Sequence, residues 1–145
     1  MSKRQRGILH YKWSLDDGHV MPQILRVKSY KGFILAREPK KKWKKSRLKN
    51  HIYPLKDFLA DPSKAIKKLH IKAIHIHHAI LAPKLMFVKK KYKIPLIVGF
   101  RGKDATAYPK KKEKQTILKK AIQNCRFVFA SLPSSQEKNY QTRMP

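Results

Sequence analysis

Two groups of residues have types and spacings that suit chemistry. The first is Phe100-Arg101-Gly102-Lys103-Asp104, where an apolar run ends in a cation, then a glycine, then a carboxylate. A glycine at such a corner lets the backbone turn or a ligand approach closely. Arginine suits bidentate recognition of phosphate or carboxylate. Asp104 falls within reach of the next helix's N-terminus, a region where a carboxylate is favoured. A capped turn closed by an internal Arg–Asp pair would have the same spacing. The second group is His75, His77 and His78. On a strand, His75 and His77 share a face while His78 points away. A zinc site needs three or four converging ligands, and no nearby cysteine or acidic residue completes one. The expectation is therefore one satisfied core histidine with one or two polar residues at a site edge, and neither a metal nor a cofactor.

The elements that must position these residues alternate between strand and helix. Gly7 to Trp13 reads as an opening strand, followed by the turn cluster Ser14-Leu15-Asp16-Asp17-Gly18. A helix is expected from near Pro22 to Tyr30, because proline is tolerated only in a first turn. A strand is expected over Gly32 to Ala36, a basic loop from Arg37 to Asn50, and a brief strand over His51 to Leu55. Asp61-Pro62 supplies an N-cap and a first-turn proline for a helix to about Leu69. Lys72 to His77 reads as a strand and Pro83 to Tyr92 as a helix. Ile94 to Phe100 is a continuous apolar strand, the kind a parallel sheet covered on both faces requires. Gln115 to Asn124 reads as a helix, Arg126 to Ala130 as a strand, and a closing helix is expected after Pro133-Ser134-Ser135. Such alternation predicts an α/β fold, a Rossmann-like parallel sheet flanked by helices, formed as one domain over residues 1–145. Ligands of such sheets lie outside the carboxyl ends of the strands. That rule nominates Ser14, Asp16, Asp17, His78, Arg101, Gly102, Asp104, Ser131 and Ser134.

Composition bounds the partner. The 145 residues hold 36 Lys and Arg against 8 Asp and Glu, a formal net charge of +28. Apolar residues make up 41%, too many for a disordered polybasic tail. Cys125 is the only cysteine, which excludes a disulfide scaffold within the chain. With five glycines and no Walker or dinucleotide fingerprint, an NAD or P-loop enzyme is not expected. Three lysine-rich runs carry or adjoin aromatics: Lys40 to Arg47 with Trp43, Lys89 to Lys93 with Tyr92, and Lys110 to Lys114 beside Tyr108. Such runs suit stacking on bases or insertion at a membrane interface, so nucleic acid and an anionic membrane surface are both candidate partners. The most apolar run, Ile94 to Phe100, is far shorter than the roughly 20 residues of a spanning helix. The expected location is cytoplasmic, or peripheral at the inner face of a membrane.

In order and spacing these segments resemble the N-terminal domain of GT-B glycosyltransferases, specifically glycosyltransferase family 4. Ile74-His75-Ile76-His77 is similar to a family strand ending in Ile-His-x-His. Ile94 to Asp104 is similar to the family strand IPLVVTFHGxD, and Phe127-Val128-Phe129-Ala130-Ser131 to a strand ending in an exposed serine. Pro22-Gln23 matches a helix that carries a Pro-Gln or Asn-Gln pair. The resemblance implies an acceptor-side domain flanking an active-site cleft, with a nucleotide-sugar donor and a glycan or lipid-linked acceptor. His77, Arg101 and Asp104 would hold the catalytic positions: Arg101 stabilising diphosphate charge, His77 in a polar or acid/base role. Ser14, Asp16, Gly18, His78, Gly102 and Ser131 would contact substrate. The first loop has only Gly18 where many members have paired glycines. The family's donor-binding second domain would follow Pro145, so the chain is expected to be inactive alone. A non-enzymatic nucleic-acid-binding domain is the alternative expectation.

Overall fold

The structure, a computed structural model, describes residues 4–13, 15, 24–44 and 48–131. Six strands lie among them: β1 (Gly7–Tyr11), β2 (Lys31–Ala36), β3 (Ile52–Pro54), β4 (Ile71–Ile76), β5 (Leu96–Arg101) and β6 (Phe127–Ser131). They form one sheet in the order β3-β2-β1-β4-β5-β6, and every neighbouring pair is parallel. The fold is α/β and Rossmann-like, as the strand–helix alternation predicts. This order reverses direction between β1 and β4, the switch point at which doubly wound sheets open a crevice beyond their carboxyl ends.

Strand alternation builds the core. Leu9 and Tyr11 of β1, Ile74 and Ile76 of β4, and Leu96 and Val98 of β5 are fully buried in one cluster. Leu55, Phe58 and Ala65, then Leu81, Leu85, Val88, Leu118 and Ala121, cover that cluster from the helices. Each Leu, Ile, Val or Phe side chain so taken from water contributes about 1.5–3 kcal/mol. A smaller cluster, Ile24 and Ile34 with Leu15 and Leu48, lies apart from it. Among the described residues no helix is long and apolar enough to cross a membrane.

Several boundaries depart from the sequence expectation for local reasons. The expected helix over Pro83 to Tyr92 is divided into a 3-10 helix, Ala79–Lys84, and an α-helix, Met86–Tyr92. Pro83 has no N–H and falls inside the 3-10 segment, where it cannot extend an α-helical ladder. Lys93, with φ 58, ends the α-helix in the left-handed region. β5 starts at Leu96, after Pro95, whose carbonyl accepts from Ile74 N at 3.0 Å. The basic stretch after Arg37 holds a short helix, Lys40–Trp43, anchored by the buried Trp43, whose indole N–H donates to the Glu38 carbonyl at 3.2 Å. An unexpected helix, Leu55–Ala60, precedes Pro62–Lys68; Leu55 and Phe58 place one apolar face inward. Asp61 caps the second helix by accepting from Lys64 N at 3.0 Å, as its spacing to Pro62 predicts. Of the helix expected up to Tyr30, residues 24–26 are helical and 27–30 are not, because the chain must turn before β2 begins at Lys31. Pro22, Gln23 and the closing helix expected after Ser135 lie outside the described residues.

Candidate functional site

The carboxyl ends of β1, β4 and β5 bring three side chains to one place. Just past β1 stands Trp13, past β4 His78, and at the end of β5 Arg101. With Gly102, Lys103, Asp104 and Tyr108 they line a cleft of about 340 Å³. Trp13 is 41% exposed, unusual for so large an apolar ring, and its ring centroid lies 6.2 Å from that of His78. The Arg37 guanidinium sits 4.9 Å from the Trp13 centroid and donates to the Trp13 carbonyl. A cation over an indole face is an attractive arrangement, and it holds the ring in place. The mouth thus combines an aromatic platform with Arg37, Arg101 and Lys103.

Among the described residues Asp104 is the acidic group of this cleft, and it is only 1% exposed. Its two oxygens accept from Ala79 N at 2.9 Å and Ile80 N at 3.4 Å, and Nδ1 of His78 lies 3.7 Å away. Asp104 therefore braces the start of the 3-10 helix after β4 and fixes His78 at the rim. Gly102, with φ 52 and ψ −118, lets β5 turn directly into the short helix Lys103–Thr106. No atom would meet an added Cβ there, so the backbone conformation, not crowding, asks for glycine.

Of the sequence candidates, Arg101, Gly102, Asp104 and His78 thus converge on one cleft. His77 does not line it: this residue is 3% exposed and packs beneath, against two other histidines. Ser131 ends β6 and pairs in register with Arg101. Ser14, Asp16, Asp17, Gly18 and Ser134 lie outside the described residues. Sequence reasoning missed Trp13, Arg37 and Tyr108 as site residues. Trp13 had a signal, being the aromatic that closes the opening strand; Tyr108 had none beyond its neighbouring lysines.

The histidines form a second feature. His10 of β1 pairs in register with His75 of β4, and His77 follows two residues on. Nδ1 of His10 and Nε2 of His77 share a hydrogen bond of 2.9 Å, and the His75 and His77 rings stack at 3.9 Å. Burial, then His75 and Lys12, push His10 down to about 3. Burial and Arg101 push His75 down to about 4. Burial, the two other imidazoles, Arg101 and Lys12 all depress His77. All three rings are neutral at pH 7. His10 was not among the sequence candidates, since its partnership depends on strand register between segments 67 residues apart.

Two larger hollows lie elsewhere. One of about 660 Å³, between β2, β3 and the Leu55–Ala60 helix, is lined by Arg37, Lys40, Lys56 and Asp57 among others. Another, of about 520 Å³, is lined by Met86, Lys89, Lys90, Lys93, Pro95, Asn124 and Arg126, at the start of β5. Neither sits at the switch point, and in the smaller cleft there aromatic, cationic and histidine groups meet. Comparison of the chain with protein-family models, with curated proteins and with solved structures finds no match. What fold and site together define is a Rossmann-like α/β protein with a cationic, tryptophan-edged cleft at its switch point.

Proposed function

We propose that the chain is the acceptor-side domain of a glycosyltransferase that moves a sugar from a nucleotide sugar to a glycan or lipid-linked acceptor. The observation that carries this reading is the cleft between Trp13, His78 and Arg101–Gly102 at the carboxyl ends of β1, β4 and β5. An exposed indole offers a flat apolar face to a sugar ring, and Arg101 with Lys103 offers charge to a phosphate ester. The role of Arg101 is charge stabilisation of the phosphate ester, and not that of a general base. Asp104 acts through His78 and the loop it braces, which makes it a positioning residue. The lysine runs would rest a basic face on an anionic membrane where a lipid-linked acceptor resides.

A second reading, a nucleic-acid-binding domain, is favoured by the hollow lined by Lys89, Lys90, Lys93 and Arg126 together with the charge of +28. Binding of the whole chain to anionic phospholipid vesicles, duplex DNA and RNA at two salt concentrations separates the two. The glycosyltransferase reading expects vesicles to be preferred at both salts. Preference for nucleic acid, with log K falling by roughly 0.9 per neutralised phosphate on duplex DNA, would replace it with the second reading.

A further inference from the structure

β1 and β4 run side by side at the centre of the sheet, with His10 directly opposite His75. Alternation along β4 returns His77 to the same face two residues later. The three rings pack together: centroids are 5.4 Å apart for His10 and His75, 5.2 Å for His10 and His77, and 3.9 Å for the stacked pair His75 and His77. One nitrogen from each ring lies within 4.8 Å of the other two, and the closest pair stands at 2.9 Å. His10 and His77 are 8% and 3% exposed, and Nδ1 of His77 is buried with no hydrogen-bond partner. Burying polar nitrogens costs free energy unless something satisfies them, and here two buried imidazoles and the half-buried His75 pack against one another.

We propose that His10, His75 and His77 bind a single divalent transition-metal ion, zinc by preference, through one ring nitrogen each. Zinc–nitrogen bonds of about 2.0–2.1 Å in a tetrahedron set ligand nitrogens roughly 3.3 Å apart, and one nitrogen from each ring already stands within 4.8 Å of the others. An all-imidazole donor set selects zinc, copper or nickel over magnesium or calcium, which prefer oxygen. Three protein ligands leave one position open, the pattern of zinc sites that hold a water or a substrate atom. Lys12 and Arg101 both act electrostatically on His77. Two such cations weaken the hold on a dication and favour an anion, hydroxide or a phosphate oxygen, in the fourth position. Arg101 also lines the switch-point cleft, so the ion would stand next to the proposed phosphate site while depending on none of its chemistry.

The test uses the whole chain, stripped with a chelator and titrated with Co(II) and then Zn(II). The expected result is one Co(II) per chain, with the intense visible bands of a tetrahedral site, displaced stoichiometrically by zinc. His10→Gln and His75→Gln should each weaken binding by more than about 100-fold, beyond what losing an outer-shell partner costs. His70→Gln, just before the amino end of β4, should leave it unchanged. In case the cluster variants fold poorly, imidazole NMR of the unmutated chain supplies an independent readout, and zinc should shift the resonances of His10, His75 and His77 alone. Absence of a one-to-one complex at submillimolar metal would overturn the proposal. So would octahedral cobalt spectra, affinity that survives His10→Gln in a folded chain, or zinc shifts confined to other histidines.

Discussion

The two faces of the central strands do different work. Along β1 and β4, Leu9, Tyr11, Ile74 and Ile76 point into a fully buried apolar cluster, whereas His10, Lys12, His75 and His77 alternate with them on the opposite face. One backbone thus carries a hydrophobic core on one side and a buried polar group on the other, two residues apart throughout. The first face owes its stability to area removed from water. The second adds little of that kind, and its polar atoms must be satisfied by each other, by neighbouring cations or by a ligand. The contrast separates what holds the fold from what gives it chemistry.

The sharpest break in the contrast is on the apolar face. Ile74→Ala removes a fully buried side chain from the middle of the sheet and should cost about 2–5 kcal/mol, read as a lower midpoint in urea unfolding. On the polar face pH should be the lever. In metal-free protein, His10 and His75 sit at about 3 and about 4 against an ordinary 6.5. Folded rings therefore bind fewer protons than unfolded ones across that window, so stability rises with pH up to 6.5 and is lost as pH falls below it. At pH 5 the loss should be on the order of 2 kcal/mol per ring relative to pH 7, each pKa unit being about 1.4 kcal/mol. Unfolding curves at the two pH values check this, and equal midpoints would contradict it. A smaller effect belongs to Asp104→Asn. That change replaces a carboxylate accepting from Ala79 N and Ile80 N and should cost about 1–3 kcal/mol, with faster hydrogen exchange at those two amides.

Much of the apolar face was legible in the sequence. The continuous run at Ile94 to Phe100 announced a sheet covered on both sides, and Asp61-Pro62 announced its helix, because both signals are local. The polar face was less legible, for a physical reason. Only register between β1 and β4 reveals that His10 faces His75, and register is set by packing across the sheet. Short elements also escaped notice. Lys40–Trp43 and Leu55–Ala60 are too brief to show a helical period, and Pro83 conceals that its segment is a 3-10 turn. At the site, the turn at Arg101-Gly102 could be seen from composition and spacing. Trp13 could not be assigned as a platform until Arg37, arriving from β2, was seen stacked on it.

The most direct test of the account is a fluorescence titration of the cleft. Trp43 is buried, so a change on ligand addition should come from Trp13, which is exposed. A nucleoside-diphosphate hexose should produce a saturable change with a Kd of about 1 mM, corresponding to roughly −4 kcal/mol. The unphosphorylated hexose should bind more weakly. Arg101→Gln should weaken the phosphorylated ligand selectively, and Trp13→Phe should abolish the signal. A response that does not saturate, or one that is the same for both ligands and indifferent to Arg101→Gln, would contradict a sugar-phosphate site at the switch point.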